Sequence, residues 1–113
     1  APSSNNCLEF CQGTVSEMPG HDVIETIRHF ALQRKIAYVH FRNVSATVPK
    51  FEEVFIDEGR VNMIAAMKSY RTGGFDGTIV PDHTPELSYD APWEIGMAYA
   101  LGYMKCCLQA AEN

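Results

Sequence analysis

Three side chains carry the chemistry this sequence can offer: Cys11, His40 and Asp82. A thiolate, an imidazole and a carboxylate make a sensible partial coordination sphere for a divalent transition ion. They lie far apart in the chain, and no CxxC or HExxH motif is present, so any metal site must be assembled from distant residues by the fold. His83 stands beside Asp82 in Pro81-Asp82-His83. Its ordinary pKa near neutrality makes it a candidate general acid or base. Arg42 follows His40 by two positions on the same strand face, where its planar fork can clamp a substrate carboxylate. Each residue also has a plainer reading. Cys11 fits a small core hydrophobe, His40 a hydrogen-bonded core residue, Asp82 a turn cap, and Arg42 a partner in a rim salt bridge. Tyr99 and Tyr103, four apart on one helix face, read as amphipathic core residues.

What favours chemistry is the position these residues share, which follows from the elements that must hold them. Leu8-Glu9-Phe10-Cys11 alternates as a strand does, and Gly13 with Pro19-Gly20 marks a loop after it. Asp22 and Glu25 form a capping-box pattern, and Val23, Ile27, Phe30, Ala31 and Arg34 follow one helical face. Ile36 to Phe41 is a second strand, rich in β-branched and aromatic residues. A long, partly polar connection from Asn43 to Gly59 leads to a second helical stripe of Met63, Ile64, Met67 and Tyr70, closed by Gly73-Gly74. Gly77 to Asp82 is a third strand. Trp93 to Ala111 is a third helix, apolar nearly all round, which predicts burial on more than one side.

Three consecutive β-loop-α units predict a parallel sheet. No glycine-rich phosphate turn opens it, which leaves part of a (β/α)8 TIM barrel as the alternative to a doubly wound domain. Eight such units take about 250 residues, so residues 1–113 are expected to form a single region, the C-terminal fragment of a barrel domain with about three βα units. Reactive groups in a barrel sit at the C-terminal ends of the strands. Those ends are Cys11, His40 and Asp82. Alternation places Glu9 with Cys11, Tyr38 with His40, and Thr78 and Val80 with Asp82 on shared faces.

Composition narrows the function classes. The chain has 113 residues, 46% hydrophobic, and 9 Lys+Arg against 14 Asp+Glu give a net charge of −5. That is enough chain to bury a core. The acidic balance and the lack of a basic cluster disfavour nucleic acid and membrane surfaces. No apolar stretch approaches a transmembrane span, and Ala1 to Asn6 does not resemble a signal peptide, so a soluble cytoplasmic protein is expected. Four cysteines do not make a dense disulfide framework. Cys7 and Cys11, if extended, stand roughly 13 Å apart, beyond disulfide reach.

Several strings are informative as strings: Phe10-Cys11-Gln12-Gly13-Thr14-Val15-Ser16-Glu17-Met18, Tyr38-Val39-His40-Phe41-Arg42-Asn43-Val44, Phe55-Ile56-Asp57-Glu58-Gly59, Gly74-Phe75-Asp76-Gly77, Pro81-Asp82-His83 and Ala98 to Lys105. In this order and spacing, from about Leu8 to Ala110, they resemble the C-terminal part of the mannonate dehydratase family. The resemblance implies a barrel hydro-lyase of hexuronate (glucuronate) breakdown. Its reaction is the dehydration of D-mannonate to 2-keto-3-deoxy-D-gluconate with a divalent metal, usually Mn2+, with Fe2+ or another divalent ion as alternatives. It further implies that Cys11, His40 and Asp82 are metal ligands, that His83 is a catalytic histidine and that Tyr99 is a catalytic tyrosine, with Tyr103 as the alternative. A second metal-binding histidine is expected from an earlier strand outside this chain, and the full-length parent is expected to be a homo-oligomer. Where the family pattern leads us to expect Gly-Arg, this chain has Gly96-Met97. The alternatives are another metal-dependent sugar-acid barrel enzyme and a small non-catalytic α/β module.

Overall fold

The computed structural model describes residues 2–113. Strand β1 (Leu8–Cys11) runs directly into a short helix α1 (Gln12–Glu17), and α2 (Val23–Leu32) returns to strand β2 (Ile36–His40). Helix α3 (Met63–Thr72), strand β3 (Thr78–Val80) and helix α4 (Pro92–Glu112) complete the chain. The strands pair in the order β1-β2-β3, all parallel, as the three βα units predict.

Local chemistry accounts for the helix starts. Asp22 Oδ1 accepts from the Glu25 N–H at 3.1 Å, and Asn62 Oδ1 accepts from the Ala65 N–H at 3.0 Å, each satisfying a backbone donor that the first helical turn leaves free. Pro92 opens α4 at a position where no backbone N–H is needed. Among the described residues no helix is long and apolar enough to cross a membrane.

The structure corrects four local expectations. The segment after Cys11 is helical rather than a loop, because Cys11 Sγ accepts the Thr14 N–H at 3.5 Å and caps α1. Arg34 does not continue the α2 face. The helix ends at Leu32 and Arg34 takes φ +54° in the turn back to β2. Ile64 is exposed, and the buried side of α3 is Met63, Ala66, Met67 and Tyr70. Helix α4 is buried on one side only, through Gly96, Ala100, Met104 and Cys107, while Trp93, Ile95, Leu101 and Leu108 are exposed.

The core lies between the sheet and the helices. Phe10 and Val39 project from the strands into it and meet Ile27 and Ala31 of α2 and Met67 and Tyr70 of α3. The Tyr70 ring is edge-on to both Phe10 and Phe41, with centroids 6.1 and 6.2 Å away, a geometry the ring quadrupoles favour. The long connection between β2 and α3 is organised by one buried amide. Asn43 Nδ2 donates to the carbonyls of Ile56 and Val61, and its Oδ1 accepts from the N–H groups of Val44 and Val61, all at 3.0 to 3.1 Å.

Candidate metal centre

The strands end in one row. In the parallel register Cys11 lies opposite His40, and His40 opposite Val80. Strand β3 stops at Val80, so Asp82 does not reach the row by simple alternation, as Thr78, Val80 and Asp82 would predict. The backbone turns there instead. The His83 N–H donates to the Pro81 carbonyl at 2.8 Å across Asp82, whose φ is +66°. A three-residue turn with a left-handed non-glycine centre costs on the order of 1–3 kcal/mol. It sets Asp82 Oδ1 3.3 Å from His40 Nδ1 and Oδ2 3.4 Å from Arg42 Nε.

Cys11 Sγ, a ring nitrogen of His40 and a carboxylate oxygen of Asp82 all lie within 4.8 Å of one another. Ligand distances of 2.0–2.3 Å separate neighbouring donors around a divalent ion by about 3–4 Å, so small side-chain adjustments bring the trio to binding geometry. Glu9 Oε1 lies 3.0 Å from His40 Nδ1, the kind of carboxylate contact that orients a metal-binding histidine. The charge balance also suits a cation. The single charge of Arg42 faces Glu17, Glu53 and Asp82.

Arg42 sits beneath the trio rather than open to a ligand. It is buried, at 8% exposure, and its Nη2 donates to Glu17 at 2.7 Å and its Nη1 to Glu53 at 2.5 Å. Burial works against its charge. Hydrogen bonding to Glu17 and Cys11, and the fields of Cys11 and Glu53, outweigh that and raise its pKa above the ordinary arginine value. Gly13 makes the room: a methyl group there would lie 2.5 Å from the guanidinium carbon. Behind it, the fully buried Gln12 donates to the Arg42 carbonyl at 3.3 Å and accepts the Tyr70 hydroxyl at 3.2 Å.

His83 is half-exposed at the rim, with Nε2 3.7 Å from Asp82 Oδ2 and Nδ1 3.8 Å from Glu53 Oε1. The next residue, Thr84, packs so closely on α4 that a methyl group on Gly96 would lie 2.0 Å from its hydroxyl oxygen. Tyr99 is half-exposed on α4. Its hydroxyl donates to Asp57 Oδ2 at 2.8 Å, and its ring is edge-on to Phe55 at 5.2 Å. The Asp57 hydrogen bond, with smaller contributions from burial and nearby charges, raises the Tyr99 pKa. Tyr103 is partly buried and faces Cys107, and burial raises its pKa as well.

Glu17, Glu53 and Asp57 are the site residues that sequence reasoning passes over. Glu17 falls in the segment read as a loop, and the other two lie in a connection with no periodicity. Glu9 is signalled only by its parity with Cys11.

The D-mannonate dehydratase (UxuA) family model matches residues 1–113. Mannonate dehydratase 2 of Halalkalibacterium halodurans is 38% identical over 84 residues, covering 72% of this chain and 24% of that protein. The mannonate dehydratase of Brachyspira hyodysenteriae is 36% identical over 81 residues, covering 69% of this chain and 22% of that protein. In three dimensions the chain is similar to the crystal structure of mannonate dehydratase from Streptococcus suis serotype 2, with a TM-score of 0.83 at 22% identity over 96% of this chain and 33% of that one. That likeness concerns the fold, three parallel βα units of a TIM barrel, as the strand count predicts. The chain spans about a quarter of the length of the curated relatives it matches. From the match over its whole length, this chain belongs to the D-mannonate dehydratase family.

Proposed function

We propose that this chain is the C-terminal portion of a mannonate dehydratase barrel, with Cys11, His40 and Asp82 as ligands of a divalent ion, manganese in the first instance. The observation that carries the proposal is the convergence of three donor atoms from three neighbouring strand ends to within 4.8 Å, in a chain that matches the family throughout. When bound, the ion supplies positive charge against the negative charge that develops on the substrate as the proton leaves the carbon alpha to the carboxylate.

This chain's residues supply the proton handling. His83 stands at the rim beside Asp82 and handles one of the two protons, that leaving C2 or that delivered to the departing C3 hydroxyl. Tyr99, with Tyr103 as the alternative, handles the other of the two protons. The substrate class is a small sugar acid, here D-mannonate, and the step belongs to glucuronate breakdown in the cytoplasm. A homo-oligomeric full-length protein accords with the exposed apolar residues of α4.

The test uses the full-length protein. Cys11→Ala, His40→Ala and Asp82→Ala each lower bound manganese, measured by plasma mass spectrometry, and abolish formation of 2-keto-3-deoxy-D-gluconate. Undiminished manganese in all three variants would overturn the ligand set. The 113-residue chain alone should not turn over D-mannonate, because its sheet is open at both edges and its coordination sphere is incomplete. Turnover by this chain alone would refute the fragment reading.

A further inference from the structure

Arg42 is a buried cation whose three nitrogens have three different carboxylate neighbours. Nη1 donates to Glu53 and Nη2 to Glu17. Nε is buried, makes no hydrogen bond, and faces Asp82 Oδ2 at 3.4 Å. The Nε edge of the guanidinium thus lies, as an ion pair and not a hydrogen bond, against the carboxylate that sits in the strained turn, at φ +66°. Glu53 in turn lies 3.8 Å from His83, so one guanidinium touches a proposed ligand directly and His83 through one intermediary. Buried and paired with three of the chain's own acids, Arg42 is not presented as an open fork to a substrate carboxylate.

We propose that Arg42 is a positioning residue: anchored by Glu17 and Glu53, its buried positive charge, in ion-pair contact with Asp82, holds that carboxylate in the left-handed turn that presents it to Cys11 and His40. The proposal rests on the metal reading above. Lysine cannot replace it, because an ammonium group is a point charge and cannot make a planar fork to three acids at once. Gly13 belongs to the same device, since any side chain there meets the guanidinium.

The test is Co2+ substitution in the full-length protein, read by thiolate-to-cobalt charge-transfer absorption and by metal affinity against a chromophoric chelator. Wild-type protein should show the thiolate band. Arg42→Lys should keep that band through Cys11, shift the ligand-field bands as Asp82 loosens, and weaken metal binding by about 10–100-fold, the usual effect of losing a partner that orients a ligand. Turnover should fall by a similar factor with KM for D-mannonate within about twofold. Gly13→Ala, which keeps Arg42 but displaces it, should reproduce the spectral shift if Arg42→Lys fails to fold. Unchanged ligand-field bands and affinity in the folded variants, or a raised KM with unchanged metal affinity, would overturn the positioning role. Wild-type protein without the thiolate band would overturn the metal reading and this proposal together.

Discussion

The two faces of the three-stranded sheet divide the protein's needs between them. On one face Phe10 and Val39 are buried against Ile27, Ala31, Met67 and Tyr70, and the contacts are those of an ordinary close-packed core. The other face carries Glu9, Cys11, Tyr38 and His40. Here Glu9 and Tyr38 are exposed and Cys11 and His40 are half-buried. Among the described residues no helix covers this face. In a barrel such a face points inward, and on the reading proposed above its polar groups serve chemistry while the helix-covered face supplies stability. The difference teaches that substitutions on opposite faces of the same strand should separate folding from function.

The largest expected effect lies on the covered face. Tyr70→Ala removes a ring packed against Phe10, Phe41 and Phe75 and should destabilise the fold by about 3–5 kcal/mol, measured by urea unfolding. On the opposite face, His40→Ala should cut metal-dependent turnover at least about a hundredfold yet shift Tm by only a few degrees. Equal losses of stability from the two substitutions would erase the distinction between the faces.

The pH dependence sharpens the contrast. Burial raises the Tyr70 pKa well above that of an ordinary phenol, with a smaller contribution from Cys11. Below about pH 10 the phenol is protonated in both folded and unfolded chains. Above it the unfolded chain ionises first, so stability falls as pH rises. Tyr70→Phe should flatten this alkaline loss while costing about 1–3 kcal/mol at neutral pH, because Gln12 Oε1 loses its donor. A control remote from both faces gives the smallest effect. Asp22→Ala removes the α2 cap and should cost about 1 kcal/mol, with metal affinity unchanged.

Much of this architecture is legible in the sequence. Alternation at Leu8–Cys11, β-branched and aromatic content from Ile36 to Phe41 and the cap at Asp22 are local signals, and local sterics and hydrogen bonding decide them. The one-sided burial of α4 is not local. Its apolar composition reports what the helix can bury, whereas its observed exposure reports which neighbours these residues provide. The short helix α1 was hidden because its cap is a cysteine sulfur rather than an oxygen. Tyr99 illustrates the same limit from the site's side. Its helical position is readable, but its partner Asp57 lies 42 residues away in a connection shaped by the Asn43 amide.

By itself, the sequence determined that a thiol and an imidazole stand at the ends of two parallel strands and that a carboxylate follows the third. Side-chain period and parallel pairing force such ends to one edge of a sheet. Only the tertiary structure decided how they meet. Asp82 arrives through a left-handed turn, and Arg42 is enclosed by Glu17, Glu53 and Asp82. Both depend on contacts between segments far apart in the chain, where the fold holds strained backbone and buried charge that no local preference would select.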